Sequence, residues 1–332
     1  MPDSSRPANP RVIITRELAD ANQDRMCELF DAVPNHADTP FSRDDLIAAM
    51  ADCDVLVPTV TDHIDAEMIA NAPDRLRMIA SFGAGVDHID LAAARAKKII
   101  VTNTPGVFTE DTADMTMALI LSVPRRLSEG EKLMRSGQWE GWKPSGMLGH
   151  CIGGKKLGII GMGRIGQAVA RRASGFGMSI VYHNRRQLPP AVEETLRASY
   201  VADLEQLIRE CDIISLHCPH TAETHEMINA ERISQMKPST YLINTARGDL
   251  VDEDALINAL ENQRIGGAGL DVYQREPDID PRFLQLKNTV LLPHMGSATF
   301  EGREASGERV ITNIRVWADG HRPPDQVLDG WV

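Results

Sequence analysis

The sequence predicts an α/β protein of two doubly wound domains, each a parallel sheet covered by helices. Three observations carry this. Apolar runs of four to seven residues alternate with amphipathic segments along the chain. A glycine-rich turn joins one of those runs to a helical pattern. The chain has 332 residues, and at roughly 150 per domain that makes about two domains.

The elements follow in order. Runs at 11–15, 54–58, 76–81 and 98–103 are rich in Val, Ile and Leu, as strands buried on both faces should be. A turn signal, Thr104-Pro105-Gly106, follows as a hinge. Residues 110–136 then predict a long or kinked helix, interrupted by Pro124, that carries the chain from one domain into the next. Further strands are expected at 156–160, 179–183, 212–217, 240–244, 266–272 and 289–292. Between them lie helices such as 203–210, where Leu204, Leu207 and Ile208 keep the i, i+3, i+4 spacing, and 253–260. A second crossing near 296–299 leads to a last helix at about 300–319, and residues 321–325 read as a Pro-rich surface extension. The expected domains are therefore 1–105 with 298–332, and 106–297.

Hydrophobic residues are 42% and charged residues 25% of the chain, which excludes a disordered or fibrous protein. The longest apolar stretches, such as 157–162, are too short to cross a bilayer. Residues 1–10 are polar and lack an apolar secretory core, so no export is expected. Five cysteines, odd in number and without zinc-ribbon spacing, fit a reducing cytoplasm. The formal charge is −12, from 35 basic and 47 acidic residues. Such a surface repels nucleic acid and anionic lipid, so neither is an expected partner, and an anionic ligand needs a local positive site.

Gly161-Met162-Gly163-Arg164-Ile165-Gly166 lies between a predicted strand and a predicted helix, with a second strand ending near Asn184. That context is the dinucleotide-binding one: Gly161 for the tight turn, Gly163 for close approach to a pyrophosphate, Gly166 for helix–strand packing. The helix N-terminus supplies amides and positive dipole to the phosphates. An NAD-specific site would carry an acid at the end of the second strand, to bind the ribose hydroxyls. Here stand Asn184, Arg185 and Arg186. Two guanidiniums would hold a 2′-phosphate, which predicts NADP(H) as the preferred coenzyme with NAD(H) as the alternative.

Three more segments follow predicted strands on the same edge: Asn244-Thr245-Ala246-Arg247-Gly248, Gly269-Leu270-Asp271-Val272-Tyr273-Gln274-Arg275-Glu276-Pro277, and Leu292-Pro293-His294-Met295-Gly296-Ser297-Ala298-Thr299. With them in view the chain resembles the D-2-hydroxyacid dehydrogenase family, and within it the glyoxylate/hydroxypyruvate reductase branch. The resemblance covers almost the whole chain. It extends to Phe82-Gly83-Ala84-Gly85-Val86-Asp87, Asn103-Thr104-Pro105-Gly106-Val107, Trp139 with Trp142, and Leu216-His217-Cys218-Pro219-His220-Thr221.

The resemblance implies a Rossmann-like NAD(P)-binding domain and a flavodoxin-like substrate domain, and a homodimer formed through the former. It implies Arg247, Glu276 and His294 as the catalytic set, and Phe82, Ala84 and Gly85 with Arg247 and His294 as substrate contacts. Thr112, His217, Cys218, Pro219, Thr221, Thr245, Ala246, Arg247, Asp271, His294 and Gly296 then border the coenzyme beside the glycine loop and Asn184–Arg186. A 2-keto acid presents a carboxylate beside a carbonyl. Arg247 grips the carboxylate with its planar fork. Hydride reaches the carbonyl carbon, and His294 as imidazolium gives the oxygen its proton while Glu276 favours the charged ring. Asp271 reads as a support. His217, His220 and His225 lack a completing ligand, so no metal is expected, and Cys218 has no base partner to make it a nucleophile. Other D-2-hydroxyacid dehydrogenases, of phosphoglycerate or lactate type, and dinucleotide-sensing corepressors share this pattern and stay open as alternatives. Formate dehydrogenase has Gln where this chain has Glu276.

Overall fold

A computed structural model describes residue 7 and residues 9–328. Most of the N-terminal stretch 1–10, expected to carry no export signal, lies outside the described residues, as does 329–332. The chain divides into two compact units, Met1–Phe108 with Ala298–Val332, and Thr109–Ser297.

The first unit holds β1 (Arg11–Ile14), β2 (Asp31–Val33), β3 (Val55–Val57), β4 (Met78–Ala80) and β5 (Ile100–Thr102). They form one parallel sheet in the order β2-β1-β3-β4-β5, the flavodoxin-like winding. Helices α1 (Asp20–Leu29), α2 (Arg43–Asp52), α3 (Ala66–Asn71) and α4 (Leu91–Ala96) connect the strands. Val55, Leu56 and Val57 are fully buried, because the β3 side chains meet a core on each face. Ser42, Asp65 and Asp90 cap the starts of α2, α3 and α4 with side-chain acceptors.

The second unit begins with α5 (Thr109–Ser122) and α6 (Leu127–Arg135). Its strands are β6 (Lys156–Ile160), β7 (Ser179–His183), β8 (Ala198–Tyr200), β9 (Ile213–Leu216), β10 (Tyr241–Asn244), β11 (Gly267–Leu270) and β12 (Thr289–Leu291). The parallel order is β12-β11-β10-β9-β6-β7-β8, so the direction of winding reverses between β6 and β9. Helices α7 (Arg164–Gly175), α8 (Pro190–Leu196), α9 (Leu204–Glu210), α10 (Ala230–Gln235) and α11 (Glu253–Glu261) make the crossovers. The last helix, α12 (Phe300–Ala318), belongs to the first unit, where Trp317 is buried.

Several expectations change. The 110–136 segment is two helices: proline at 124 and a left-handed Arg126 (φ 56°) end one and restart the other. The first crossing falls after Phe108, beyond the 105/106 boundary expected. Thr104 N–H bonds Gly83 C=O, and Phe108 packs into the first unit's core, so 104–108 stays with that unit. β2 and β8, both three-residue edge strands, escaped the pattern because an edge strand needs no continuous apolar run. The tail is no free extension: Val327 N–H bonds Val101 C=O at 2.8 Å and Gln326 pairs antiparallel with Thr102, laying 326–327 along the β5 edge. Among the described residues, no helix is long and apolar enough to cross a membrane.

Candidate active site

The second unit's chemistry sits on loops leaving the C-terminal ends of its strands. The turn after β6 is forced by sequence. Gly161 has φ 100°, and a Cβ there would lie 2.4 Å from Cys218 N, so only glycine fits. Its N–H bonds His183 C=O at 3.0 Å. A Cβ at Gly163 would meet nothing within 4 Å, and Gly163 caps α7 with no side chain. The first turn of α7, Arg164 and Ile165 included, therefore presents its amides to open space, and a pyrophosphate fits there. Gly166 packs against Gly161 C=O.

Asn184 follows β7, and its Oδ1 accepts the Met162 N–H at 2.7 Å, tying the second strand to the glycine turn. Arg185 and Arg186 are exposed and donate to no protein acceptor among the described residues. Glu223 faces Arg185 closely enough to be held below the ordinary carboxylate range, first by the Thr221 hydroxyl and in smaller part by that guanidinium.

His217 sits beside Ser215 (2.8 Å), and burial pushes its imidazole down to about 3, leaving it neutral. Burial pushes the Cys218 thiol up to about 11, and its partner is the Met227 sulfur, so it is a neutral wall residue. Pro219 C=O accepts the Thr224 hydroxyl, and Thr221 N–H bonds the same group. His220 and His225 pair with each other across 3.3 Å.

Thr112 and Thr245 are joined through a residue the sequence did not single out. Thr116 donates to Thr112 C=O at 2.7 Å and lies 2.9 Å from the Thr245 hydroxyl. The three are buried, and a threonine one helical turn after another was the available signal.

Arg247 follows β10. Asn244 shapes that turn, donating to Arg247 C=O (2.8 Å) and accepting the Ala246 N–H (3.0 Å). The guanidinium is half-buried and spends one N–H on Ala246 C=O. Glu276 is gripped on both oxygens: Oε1 accepts Tyr273 N–H at 2.9 Å, and Oε2 lies 2.6 Å from His294 Nδ1. Burial would raise its carboxyl, but the His294 hydrogen bond and charge, the Tyr273 amide and the Arg247 charge bring it below the ordinary range. Glu276 is thus an anion at neutral pH. Nδ1 of His294 must donate to it, which leaves Nε2 as the nitrogen that exchanges a proton.

His294 itself sits in the left-handed region at φ 51°, a conformation a non-glycine residue holds only when its surroundings fix it. Asp271 does the fixing. It is 1% exposed, and its two oxygens accept the Met295 and Gly296 amides at 2.8 and 2.7 Å. Glu253 was also missed: it starts α11, is buried, and accepts Gln274 N–H at 2.8 Å, bracing the Glu276 loop. A carboxylate at the first helical position after a capping Asp252 reads from sequence as a mere dipole partner. The fold thus gathers Arg247, Glu276, His294 and Asp271 on the second unit, while Phe82, Ala84 and Gly85 belong to the first.

The model of the "D-isomer specific 2-hydroxyacid dehydrogenase, NAD binding domain" matches residues 117–296. A glyoxylate reductase of Thermococcus litoralis is 46% identical over 323 residues, covering 96% of each chain. The chain belongs to the D-2-hydroxyacid dehydrogenase family. It falls in the glyoxylate reductase branch of that family, and is an oxidoreductase using a nicotinamide dinucleotide. Solved structures agree in fold with this D-2-hydroxyacid dehydrogenase. A glyoxylate reductase from Paecilomyes thermophila superposes with a TM-score of 0.86 at 32% identity, covering 96% of this chain and 98% of that one. An NADPH-dependent glyoxylate/hydroxypyruvate reductase from Sinorhizobium meliloti, in complex with NADP and malonate, gives 0.84 at 33% identity, covering 96% and 97%.

Proposed function

We propose that this enzyme reduces small 2-keto acids, glyoxylate and hydroxypyruvate, to D-2-hydroxy acids, with NADPH preferred over NADH. The observation that carries the reading is the 2.6 Å His294–Glu276 pair with Arg247 close by, the proton donor and carboxylate grip that such a reduction needs. Glyoxylate and hydroxypyruvate enter from the relatives' names.

Residues of the glycine turn and of the 112, 217–221 and 245–247 segments bind the coenzyme, which when bound supplies hydride to the carbonyl carbon. Arg247 binds the substrate carboxylate and polarises the neighbouring carbonyl, and on the first unit Ala84 and Gly85 offer backbone amides to a carboxylate. Phe82 forms an apolar wall. His294 Nε2 gives its proton to the carbonyl oxygen as negative charge develops there, and Glu276, ionised, balances the imidazolium beforehand. Asp271 moves no proton; it holds the loop that aims His294.

Support for NADPH comes from Asn184, Arg185 and Arg186 at the end of β7, where the strand-end position holds an asparagine in place of a carboxylate that would repel a 2′-phosphate. We also propose a homodimer. Leu127, Met134, Trp139, Trp142 and Leu148 are exposed apolar side chains within one stretch of the second unit, and none of α6 is buried. A cytoplasmic setting suits five free cysteines.

The test is steady-state reduction of glyoxylate and hydroxypyruvate with each coenzyme. Turnover of both acids with a lower KM for NADPH is expected. Indifference to both acids, or a strong NADH preference, overturns the corresponding half of the reading.

A further inference from the structure

We propose that Asn103 is a positioning residue for the substrate carboxylate, held in place by the C-terminal strap 325–327. The inference rests on the reading that Ala84 and Gly85 offer amides to that carboxylate.

The peptide plane gives the reason. In a trans peptide the C=O of one residue and the N–H of the next point in opposite directions. Whatever holds the Gly83 carbonyl therefore aims the Ala84 amide, and whatever holds the Ala84 carbonyl aims the Gly85 amide. Both carbonyls are held. Thr104 N–H donates to Gly83 C=O at 2.9 Å, and the Asn103 side-chain amide donates to Ala84 C=O at 2.6 Å. The Ala84 and Gly85 amides donate to no protein acceptor among the described residues. Two successive free N–H groups whose carbonyls are tied down form a concavity for an anion. These amides stay unsatisfied unless water or a ligand meets them.

Asn103 is itself clamped. It is 1% exposed at the end of β5. Its N–H reaches Asp325 C=O and its C=O receives the Asn313 side-chain amide, both at 3.4 Å. Asn313 is fully buried on α12, and its Oδ1 accepts the Asp325 N–H at 3.1 Å. The strap is pinned by Val327 N–H on Val101 C=O at 2.8 Å and by Arg309 on the Asp325 carboxylate at 3.2 Å. Strap, Asn313, Asn103 and the loop form one hydrogen-bonded series inside the first unit. A buried asparagine that only satisfied its neighbours would affect folding alone. One that aims the Gly85 amide must affect substrate binding.

The experiment measures glyoxylate reduction by the full chain carrying Asn103→Ala, beside Gly85→Pro, which deletes the amide itself. Asn103→Ala is expected to raise the KM for glyoxylate at least tenfold. The kcat at saturation should stay within about threefold of wild type, and NADPH affinity by fluorescence should be unchanged, since the residues proposed to bind it lie in the other unit. If Gly85→Pro leaves the glyoxylate KM unaltered, the loop reading fails and takes this proposal with it. If Gly85→Pro raises that KM but Asn103→Ala lowers only kcat or thermal stability, the loop reading stands and Asn103 is merely structural. Should Asn103→Ala not fold, Val327→Pro removes the strap's bond to Val101 while leaving Asn103 in the chain. A several-fold rise in glyoxylate KM supports the strap's role there, and an unchanged KM overturns it.

Discussion

His294 Nδ1 and Glu276 Oε2 lie 2.6 Å apart, and each partner's second polar atom has a separate task. Glu276 Oε1 is spent on the Tyr273 amide, so the carboxylate cannot swing, and His294 is left to work through Nε2 alone. The pair gives a signed pH prediction. Reduction needs a protonated His294 as donor, so kcat/KM for glyoxylate should fall toward alkaline pH. Oxidation of the hydroxy acid needs it neutral and should rise over the same range. Glu276→Gln keeps the shape and removes the charge that favours the imidazolium. The alkaline limb of the reduction profile should move to lower pH, with a loss of about 10²–10⁴-fold at neutral pH. An unmoved limb would show that Glu276 does not govern the ring.

The same carboxylate gives a stability prediction. Its folded pKa lies below the ordinary value, so it contributes stability above about pH 4.3, lost as pH falls through the folded pKa. Glu276→Gln should therefore narrow the difference between denaturation midpoints at pH 7 and pH 3.

Coenzyme preference is testable at the end of β7. Arg185→Ala with Arg186→Ala removes the charges proposed to hold the 2′-phosphate. A charged hydrogen bond is worth about 1.5–3 kcal/mol, so loss of even one should weaken NADPH binding at least tenfold, and the double variant should bind NADH nearly as before. Asn184→Asp retains an acceptor for the Met162 amide but brings a negative charge, and should turn the preference toward NADH. Equal losses for both coenzymes would place the arginines elsewhere in function.

Much of this was legible in the chain because the elements that carry it are strongly patterned. β6 leads into a turn that only glycine can make at Gly161 and Gly166, with Gly163 leaving the space above it open. Arg247 and Glu276 follow apolar runs that become the central strands β10 and β11, and His294 follows the shorter apolar run of the edge strand β12. β2 and β8 lie at sheet edges, where burial on two faces no longer dictates a continuous apolar run, and were missed. Asn103, Thr116 and Glu253 act through contacts 19, 129 and 21 residues away along the chain, which no local spacing encodes. The tail read as an extension because His321–Asp325 is polar and Pro-rich. Its anchoring combines backbone bonds to β5 with the Asn313 and Arg309 side chains of α12, partners that local composition does not encode.

The proposed dimer has a direct test. Leu127 and Met134 are seven residues apart on α6, so they share a face, and both are more than half exposed. Leu127→Glu with Met134→Glu places two carboxylates on that face without disturbing a buried contact of the monomer. Light scattering should report a dimer for the wild type and a monomer for the variant. A wild type that runs as a monomer would remove the interface outright.

Asp271 gives a prediction in which geometry and titration separate. Its two oxygens each face an amide donor, from Met295 and Gly296, one and two residues beyond the proton donor. Asp271→Asn turns one acceptor into an N–H pointing at another N–H, which costs about 1–3 kcal/mol. The His294 loop loses its anchor, and kcat for reduction should drop ten- to a hundredfold. Burial pushes the Asp271 carboxyl above its ordinary value against the pull of the two amides. For an acid with a raised folded pKa, stability is fully present below the unfolded pKa, near 3.9, and is lost as pH rises through the folded one. The gap in unfolding free energy between wild type and Asp271→Asn should thus be widest at or below pH 4 and shrink as pH climbs through the folded pKa. A gap that instead widens with pH would mean that the two amides outweigh burial and hold Asp271 ionised.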